Sequence, residues 1–286
     1  GIAITAPSSG VPATVHARLN LAIAALQQRG YRVVEGECLR QQTKQASATR
    51  EHRASELMGF LTDPTIAAVM PPWGGERAIE LLPLIDFRAL ANMPAKWFVG
   101  FSDLSTLHLP LTTISGWATL HGPNLMELGA SPVDAVTASI WSVLGAPHGA
   151  EITQHSSKKF QRTGPDRVTQ PDAGFLLTED TEWKRLDGSC APVTFSGRLI
   201  GGCLDTVARL AGTPYGGVPG FVKAATDDGA VLYIENVEMH PCELLRALWS
   251  LRLHDWFDGL RGILIGRNAA ADAKQANDLN YLDALR

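Results

Sequence analysis

The sequence predicts an α/β protein: an N-terminal parallel-sheet domain of βα units, a smaller C-terminal α/β domain, and a functional site at the domain junction. Three observations carry this. Short apolar runs alternate with amphipathic stretches through the first half. Glycine pairs or a serine stand where those runs end, the place where ligands gather in open parallel sheets. A polar tract, including "QHSSKKFQRTGPDR", then separates a second group of strand and helix patterns from the first. The predicted boundaries are 1–146 for the N-terminal domain, 147–172 for a linker and 173–286 for the C-terminal domain.

Along the chain, "IAIT" reads as the first buried strand and leads to a helix over Val11 to Gln28. "YRVVEG" follows as a strand, and Thr49 to Leu61 as a second helix. "IAAVM" runs into Gly74-Gly75, "WFVG" runs into Ser102, and "WATLHGP" closes the series. The second domain opens with "SGRLIGGCLDTVARLAGTPY", a strand, a glycine pair and a helix. "AVLYIENVE", a helix from Pro241 to about Phe257 and "RGILIGR" complete it. No G-K-[ST] follows "GRLIGG", so its glycines read as tight helix–strand contact rather than a phosphate cradle.

The composition narrows the function classes. At 286 residues, with 45 % hydrophobic and 19 % charged residues, the chain is globular. A net charge of −4, an isoelectric point near 6.1 and scattered basic residues give no footprint for nucleic acid. No window approaches the ~20 apolar residues of a membrane span. The start "GIAITAPSSG" has no charged signal-peptide region and opens inside a strand, so the natural start is expected upstream and the location in the cytoplasm. Cys38, Cys190, Cys203 and Cys242 show no paired-ligand spacing and read as reduced thiols. No metal and no organic cofactor is predicted.

The chemistry is expected where strands end. Ser102 sits in "KWFVGFSDLSTLH" between a strand and a helix, where orphan N–H groups and the helix dipole converge. The local pattern fits an N-cap or a nucleophile: Gly100 precedes as in a nucleophile elbow, but Leu104 replaces its second glycine. Gly74 and Gly75 in "VMPPWGGERAIELLPLIDF" form either a tight turn or a loop whose amides, with that of Asp103, flank an oxyanion. Glu235 ends an apolar strand, where a carboxylate caps a helix, receives an imidazole or is simply an exposed strand-end acid. Glu238 reads as a surface turn residue. Arg77 is either a cationic contact for a substrate carboxylate or a solvated helix-start residue.

Taken in order, "APSS", "PPWGG" with "ELLPLIDF", "VGFSD", "HGP", "GGCLDTVARLAGTPY", "YIEN" and "RGILIGR" resemble the LD-carboxypeptidase family of serine peptidases, which includes the microcin C immunity peptidases. The resemblance runs from residue 2 to about residue 268. It implies a Ser-His-Glu triad, with Ser102 as nucleophile and Glu235 as the acid that orients the histidine. It also implies an oxyanion hole at Gly75 and Asp103 beside Gly74, and a homodimer. Two departures stand out. Cys203 replaces the usual Asn of Gly-Gly-Asn-Leu, and the resemblance makes it, with Gly74 and Trp183, a substrate-binding candidate. The family's histidine lies beyond one further helix, and none of the eight histidines here matches it, so it is expected beyond Arg286. His121 in "TLHGPN" is either the best internal alternative or, the reading its position favours, a hydrogen-bonded scaffold imidazole; His108 reads as packed, and His240 and His254 as surface residues.

Family members of this kind cleave the terminal D-alanine of murein tetrapeptides or an amide between an aminoacyl group and a nucleotide-like moiety. Trp183 in "LLTEDTEWKRLDG" resembles the aromatic loop of the immunity branch and either stacks on a nucleobase or covers the junction. The expected partner is therefore a small peptide or peptidyl-nucleotide, hydrolysed through an acyl-enzyme at an amide near a free carboxylate. The rival expectation is a catalytically inactive binding homologue of the same fold.

Overall fold

A computed structural model describes residues 1–286, and the chain forms two compact units that are discontinuous in sequence. Unit 1 comprises Gly1–Ile85, Met93–Leu104 and Thr119–Trp183; unit 2 comprises Asp86–Asn92, Ser105–Ala118 and Lys184–Arg286. Strand β1 (Ile2–Ile4), helix α1 (His16–Gln28), β2 (Val33–Glu35), α2 (Arg50–Thr62) and β3 (Ala68–Val69) belong to unit 1, and the short α3 (Phe87–Leu90) to unit 2. β4 (Trp97–Gly100) is again in unit 1, α4 (Ser105–Thr113) in unit 2, and β5 (Leu120–His121), α5 (Ala135–Ala138), α6 (Ile140–Leu144), β6 (Lys159–Phe160) and β7 (Glu179–Asp180) in unit 1. The remainder of unit 2 is β8 (Arg198–Cys203), α7 (Leu204–Val207), α8 (Val218–Ala224), β9 (Ala230–Glu235), α9 (Pro241–Leu253), β10 (Leu260–Ile265) and α10 (Tyr281–Leu285).

Unit 1 is built on a five-stranded parallel sheet in the order β2-β1-β3-β4-β5. Ile2 lies opposite both Val33 and Ala68, and Val99 opposite Leu120. Strands covered on both faces need apolar residues at successive positions, and β1 is buried at all three. α1 turns Leu19, Ala22, Ile23 and Leu26 into the core, the i, i+3, i+4, i+7 spacing of an amphipathic helix. It has no side-chain N-cap, so docking holds it: each large aliphatic contributes about 1.5–3 kcal/mol when buried.

This helix starts later than the sequence suggests. The Val11 amide donates to the Leu39 carbonyl at 2.8 Å, and Ala13–Val15 form a 3-10 turn before α1 begins at His16. At α2 the Thr49 side chain accepts from the His52 amide at 3.2 Å, so Thr49 caps the helix rather than opening it.

The polar tract at 147–172 carries no helix and is tied to unit 1 by hydrogen bonds. Arg18, buried on α1, donates to the carbonyls of Pro171 and Ala173, both at 2.9 Å, and to that of Met126 at 2.6 Å. The Ser131 amide donates to the Asp172 carbonyl at 2.8 Å.

Unit 2 carries a smaller parallel sheet in the order β10-β9-β8. Its register sets Cys203 opposite Glu235 and Ile263 opposite Leu232. The glycine pair of β8 is explained by close approach. A Cβ on Gly202 would lie 2.6 Å from Ser105 Cβ at the start of α4, and one on Gly201 would lie 1.7 Å from the Tyr233 carbonyl oxygen. α9 opens on Pro241, ends at Leu253 rather than near Phe257, and passes into a turn with Asp255 at φ 60°. No helix is long and apolar enough to cross a membrane.

Candidate active site

In unit 1 the candidate residues meet at the carboxyl ends of β1, β3 and β4. β4 ends at Gly100, and Ser102 adopts φ 63°, a left-handed conformation that non-glycine residues rarely hold. An N-cap residue instead has an extended backbone, as Thr49 does at φ −60° and ψ 153°. Strand, strained serine and helical turn in succession is the geometry that lifts a hydroxyl clear of the sheet. The positive φ of Gly100, 137°, leads into it, and a Cβ there would lie 2.3 Å from Leu104 Cδ1 and 2.5 Å from Asn124 Oδ1. Buried Asn124 accepts the Phe101 amide at 3.1 Å and so ties the corner to the segment after β5.

The glycine loop lies directly against this corner. A Cβ on Gly74 would lie 2.8 Å from the Asp103 amide nitrogen and 3.1 Å from Ser102 Oγ. Gly75 has φ 141°, and a Cβ there would lie 2.5 Å from Ser8 Oγ and 2.3 Å from Ser9 Oγ. Both positions therefore demand glycine.

The two serines of "APSS" hold the loop in place. Ser8 Oγ donates to Asp103 Oδ2 at 2.6 Å and accepts the Arg77 amide at 3.0 Å. Asp103 Oδ2 also accepts the Ala78 amide at 2.9 Å. The Ser9 amide donates to the Gly74 carbonyl at 3.2 Å, and Trp73 Nε1 donates to the Ser9 carbonyl at 3.0 Å. Beneath them Arg53, wholly buried on α2, donates to the carbonyls of Pro7 (2.7 Å), Arg77 (3.0 Å) and Ala48 (3.1 Å) and to Glu80 Oε2 (2.5 Å). Asp103 thus has a side-chain role that its amide alone did not suggest, and Ser8, Arg53 and Asn124 were not singled out by the sequence. Their signals are single residues tens of positions away.

Arg77 is occupied elsewhere. Its guanidinium donates to Glu80 Oε1 at 2.7 and 3.0 Å and to the Lys44 carbonyl at 2.9 Å. Hydrogen bonds from Arg77, and then from Arg53, hold the Glu80 carboxyl below its usual range despite partial burial. His121 lies opposite Gly100 in the β4–β5 register, with its ring edge-to-face with Phe101 at 6.5 Å. Trp183 is exposed, at 65 %.

In unit 2, Glu235 is half-buried at the carboxyl end of β9, opposite Cys203 in register. The turn that follows is organised by Asp205, whose carboxylate accepts the amides of Val237 (2.9 Å), Glu238 (2.9 Å) and Met239 (3.1 Å). Asn236 donates to the Met239 carbonyl and to Asn268 Oδ1, each at 2.7 Å. Glu238 is exposed, as expected of a turn residue. Cys203 is buried, its amide donates to Ser105 Oγ at 3.0 Å, and its Sγ lies 3.4 Å from Asp205 Oδ2. Burial first, then the charges of Asp205 and Glu235, push its thiol well above its usual range. His108 is buried in α4, while His240 and His254 are exposed.

An α/β chain with a strained serine between a strand and a helix, flanked by an obligatory glycine loop, has a turn similar in backbone geometry to a nucleophile elbow. Comparison with known proteins specifies the family: residues 2–122 match the LD-carboxypeptidase N-terminal domain and residues 196–286 the LD-carboxypeptidase C-terminal domain, and the chain belongs to that family. It is 27 % identical over 274 residues to the microcin C7 self-immunity protein MccF of Escherichia coli, covering 93 % of this chain and 75 % of that one. It is 28 % identical over 250 residues to the murein tetrapeptide carboxypeptidase of Pseudomonas aeruginosa, covering 87 % and 70 %. The solved structure of MccF with glutamyl sulfamoyl guanosine superposes with a TM-score of 0.80 at 22 % identity, covering 99 % of this chain and 82 % of that one, and shares its fold.

One prediction tests the scaffold of this corner. Ser8→Ala removes both the donor to Asp103 and the acceptor of the Arg77 amide. It is expected to lower kcat by about 10- to 100-fold through misplacement of the glycine loop, with little change in KM. Steady-state kinetics beside an unchanged circular dichroism spectrum would establish this, and wild-type kcat would show that the loop holds itself.

Proposed function

We propose that this protein is a serine peptidase that hydrolyses an amide near a free carboxylate through an acyl-enzyme. The observation that carries the reading is the strained Ser102, φ 63°, set against the backbone of Gly74 in a chain of the LD-carboxypeptidase family. In this scheme Ser102 Oγ attacks the carbonyl carbon while a histidine oriented by Glu235 accepts its proton. The amides of Gly75 and Asp103 stabilise the tetrahedral oxyanion. Collapse breaks the C–N bond, the leaving amine takes the proton from the imidazolium, and water then hydrolyses the ester by the same route in reverse. No metal or organic cofactor takes part.

For the substrate we favour an aminoacyl group joined to a nucleotide-like moiety. MccF, one of the relatives, has been solved with glutamyl sulfamoyl guanosine, and the exposed indole of Trp183 offers a face on which a base can stack. The reading includes a cytoplasmic homodimer, which sedimentation velocity checks as a species of twice the chain mass. The deciding experiment incubates the protein with glutamyl sulfamoyl guanosine and, separately, with an L,D-tetrapeptide from murein. Release of glutamate supports the immunity-like branch, and release of D-alanine moves the assignment to the murein branch. Turnover of neither substrate would overturn the peptidase reading.

A further inference from the structure

The loop after β2 and the start of α2 bring together three side chains of metal-ligating type. Cys38 lies three residues beyond the end of β2, while His52 and Glu56 stand one turn apart on α2 and so project from the same face. One ligand atom from each, the Cys38 sulfur, an imidazole nitrogen of His52 and a carboxylate oxygen of Glu56, all lie within 4.8 Å of one another. Ligand atoms bound tetrahedrally to zinc at their usual bond lengths are roughly 3.5 Å apart, so the set closes on an ion with about an ångström of side-chain adjustment. All three residues belong to unit 1.

The surroundings orient these groups as outer partners orient metal ligands. The Glu56 carboxylate accepts the Thr5 hydroxyl and the Cys38 amide, the latter at 3.1 Å to Oε2. Gly36 makes room for it: a Cβ there would lie 2.2 Å from Glu56 Oε1. Glu37 Oε2 lies 3.3 Å from His52 Nε2, so a second carboxylate steadies the ring. Cys38 is fully buried, unlike exposed Cys190 and Cys242.

We propose that Cys38, His52 and Glu56 bind a divalent transition metal, zinc by preference, which fastens the loop after β2 to α2. A sulfur, a nitrogen and an oxygen donor favour zinc over magnesium or calcium, which want oxygen donors alone. Three protein ligands leave the fourth position to water. As the Sγ–metal bond forms, the S–H bond breaks and its proton passes to solvent, with no change of oxidation state. The site is structural and independent of the peptidase reading.

The test uses the full chain carrying Cys190→Ser and Cys242→Ser, stripped with a chelator and titrated first with cobalt(II) and then with zinc. The expected result is one cobalt per chain, with a sulfur-to-metal charge-transfer band in the near ultraviolet and the strong visible bands of tetrahedral cobalt. Zinc displaces it and raises the melting temperature, because it binds the folded state alone. His52 is exposed, so His52→Ala retains the fold; it is expected to weaken cobalt binding by about 100-fold or more, and Cys38→Ser to abolish the charge-transfer band. Absence of that band in excess cobalt would overturn the proposal. So would a band unchanged in the His52→Ala or Cys38→Ser variant, which would assign the thiolate elsewhere.

Discussion

Ser102→Ala is expected to lower kcat for the cleaved amide by roughly 10⁵-fold or more while leaving substrate binding and fold in place. In the proposed mechanism its hydroxyl is the atom that attacks. The alternative role for this serine, capping the following helix, makes the opposite prediction: loss of about 1 kcal/mol of stability with turnover intact. The backbone separates the two further. A non-glycine residue at φ 63° stores roughly 1–3 kcal/mol of strain, and alanine, which keeps its Cβ, stores it as well. Ser102→Gly removes the strain. It is therefore expected to be as inactive as Ser102→Ala yet more stable than the parent by about 1 kcal/mol. Urea unfolding of parent and both variants beside single-turnover kinetics reads all of this. A Ser102→Ala variant that melts earlier but still turns over would make Ser102 a cap.

How much of this was legible in the sequence depended on how far apart the interacting residues lie. β1, β4 and β9 were legible because a buried strand needs consecutive apolar residues, a property of neighbours. The glycines after β3 and in β8 were legible as sites of close approach, and the clash of a Cβ at Gly202 with Ser105 gives that reading its physical content. The resemblance of ordered motifs pointed to the right family because each motif sits at a strand end where backbone geometry restricts the residue type. The hydrogen bond from Ser8 to Asp103 joins positions 95 apart, and no period or spacing announces it. Nor does any local signal say that α4, which follows β4 directly in sequence, belongs with β8 in unit 2. His52 and Glu56 share a helix face that a wheel displays, but Cys38 joins them only because β2 ends three residues before it.

Arg53→Ala is expected to cost about 3–5 kcal/mol of stability, the usual result of removing one partner from a buried charged network. The carbonyls of Pro7 and Ala48 lose this donor, that of Arg77 keeps the longer bond from the Glu80 amide at 3.4 Å, and Glu80 keeps its hydrogen bonds from Arg77. The bond to the Pro7 carbonyl is buried, so its loss contributes a desolvation cost rather than merely a lost bond. Arg53→Lys retains the charge but not the planar fork, and is expected to fall between parent and alanine. The effect depends on pH with a definite sign. The folded Glu80 carboxyl lies below its ordinary value of 4.5, so its contribution is complete above that value and is lost as the pH falls through the folded one. The difference in unfolding free energy between parent and Arg53→Ala should therefore shrink in acid. Because Pro7 and Arg77 bracket the segment from which Ser8 and Gly75 face each other, the same variants are expected to lose turnover in the order of their stability loss. Equal urea midpoints for parent and Arg53→Ala at neutral pH would show that the buried guanidinium does not hold the glycine loop, leaving Ser8 and Asp103 to position it.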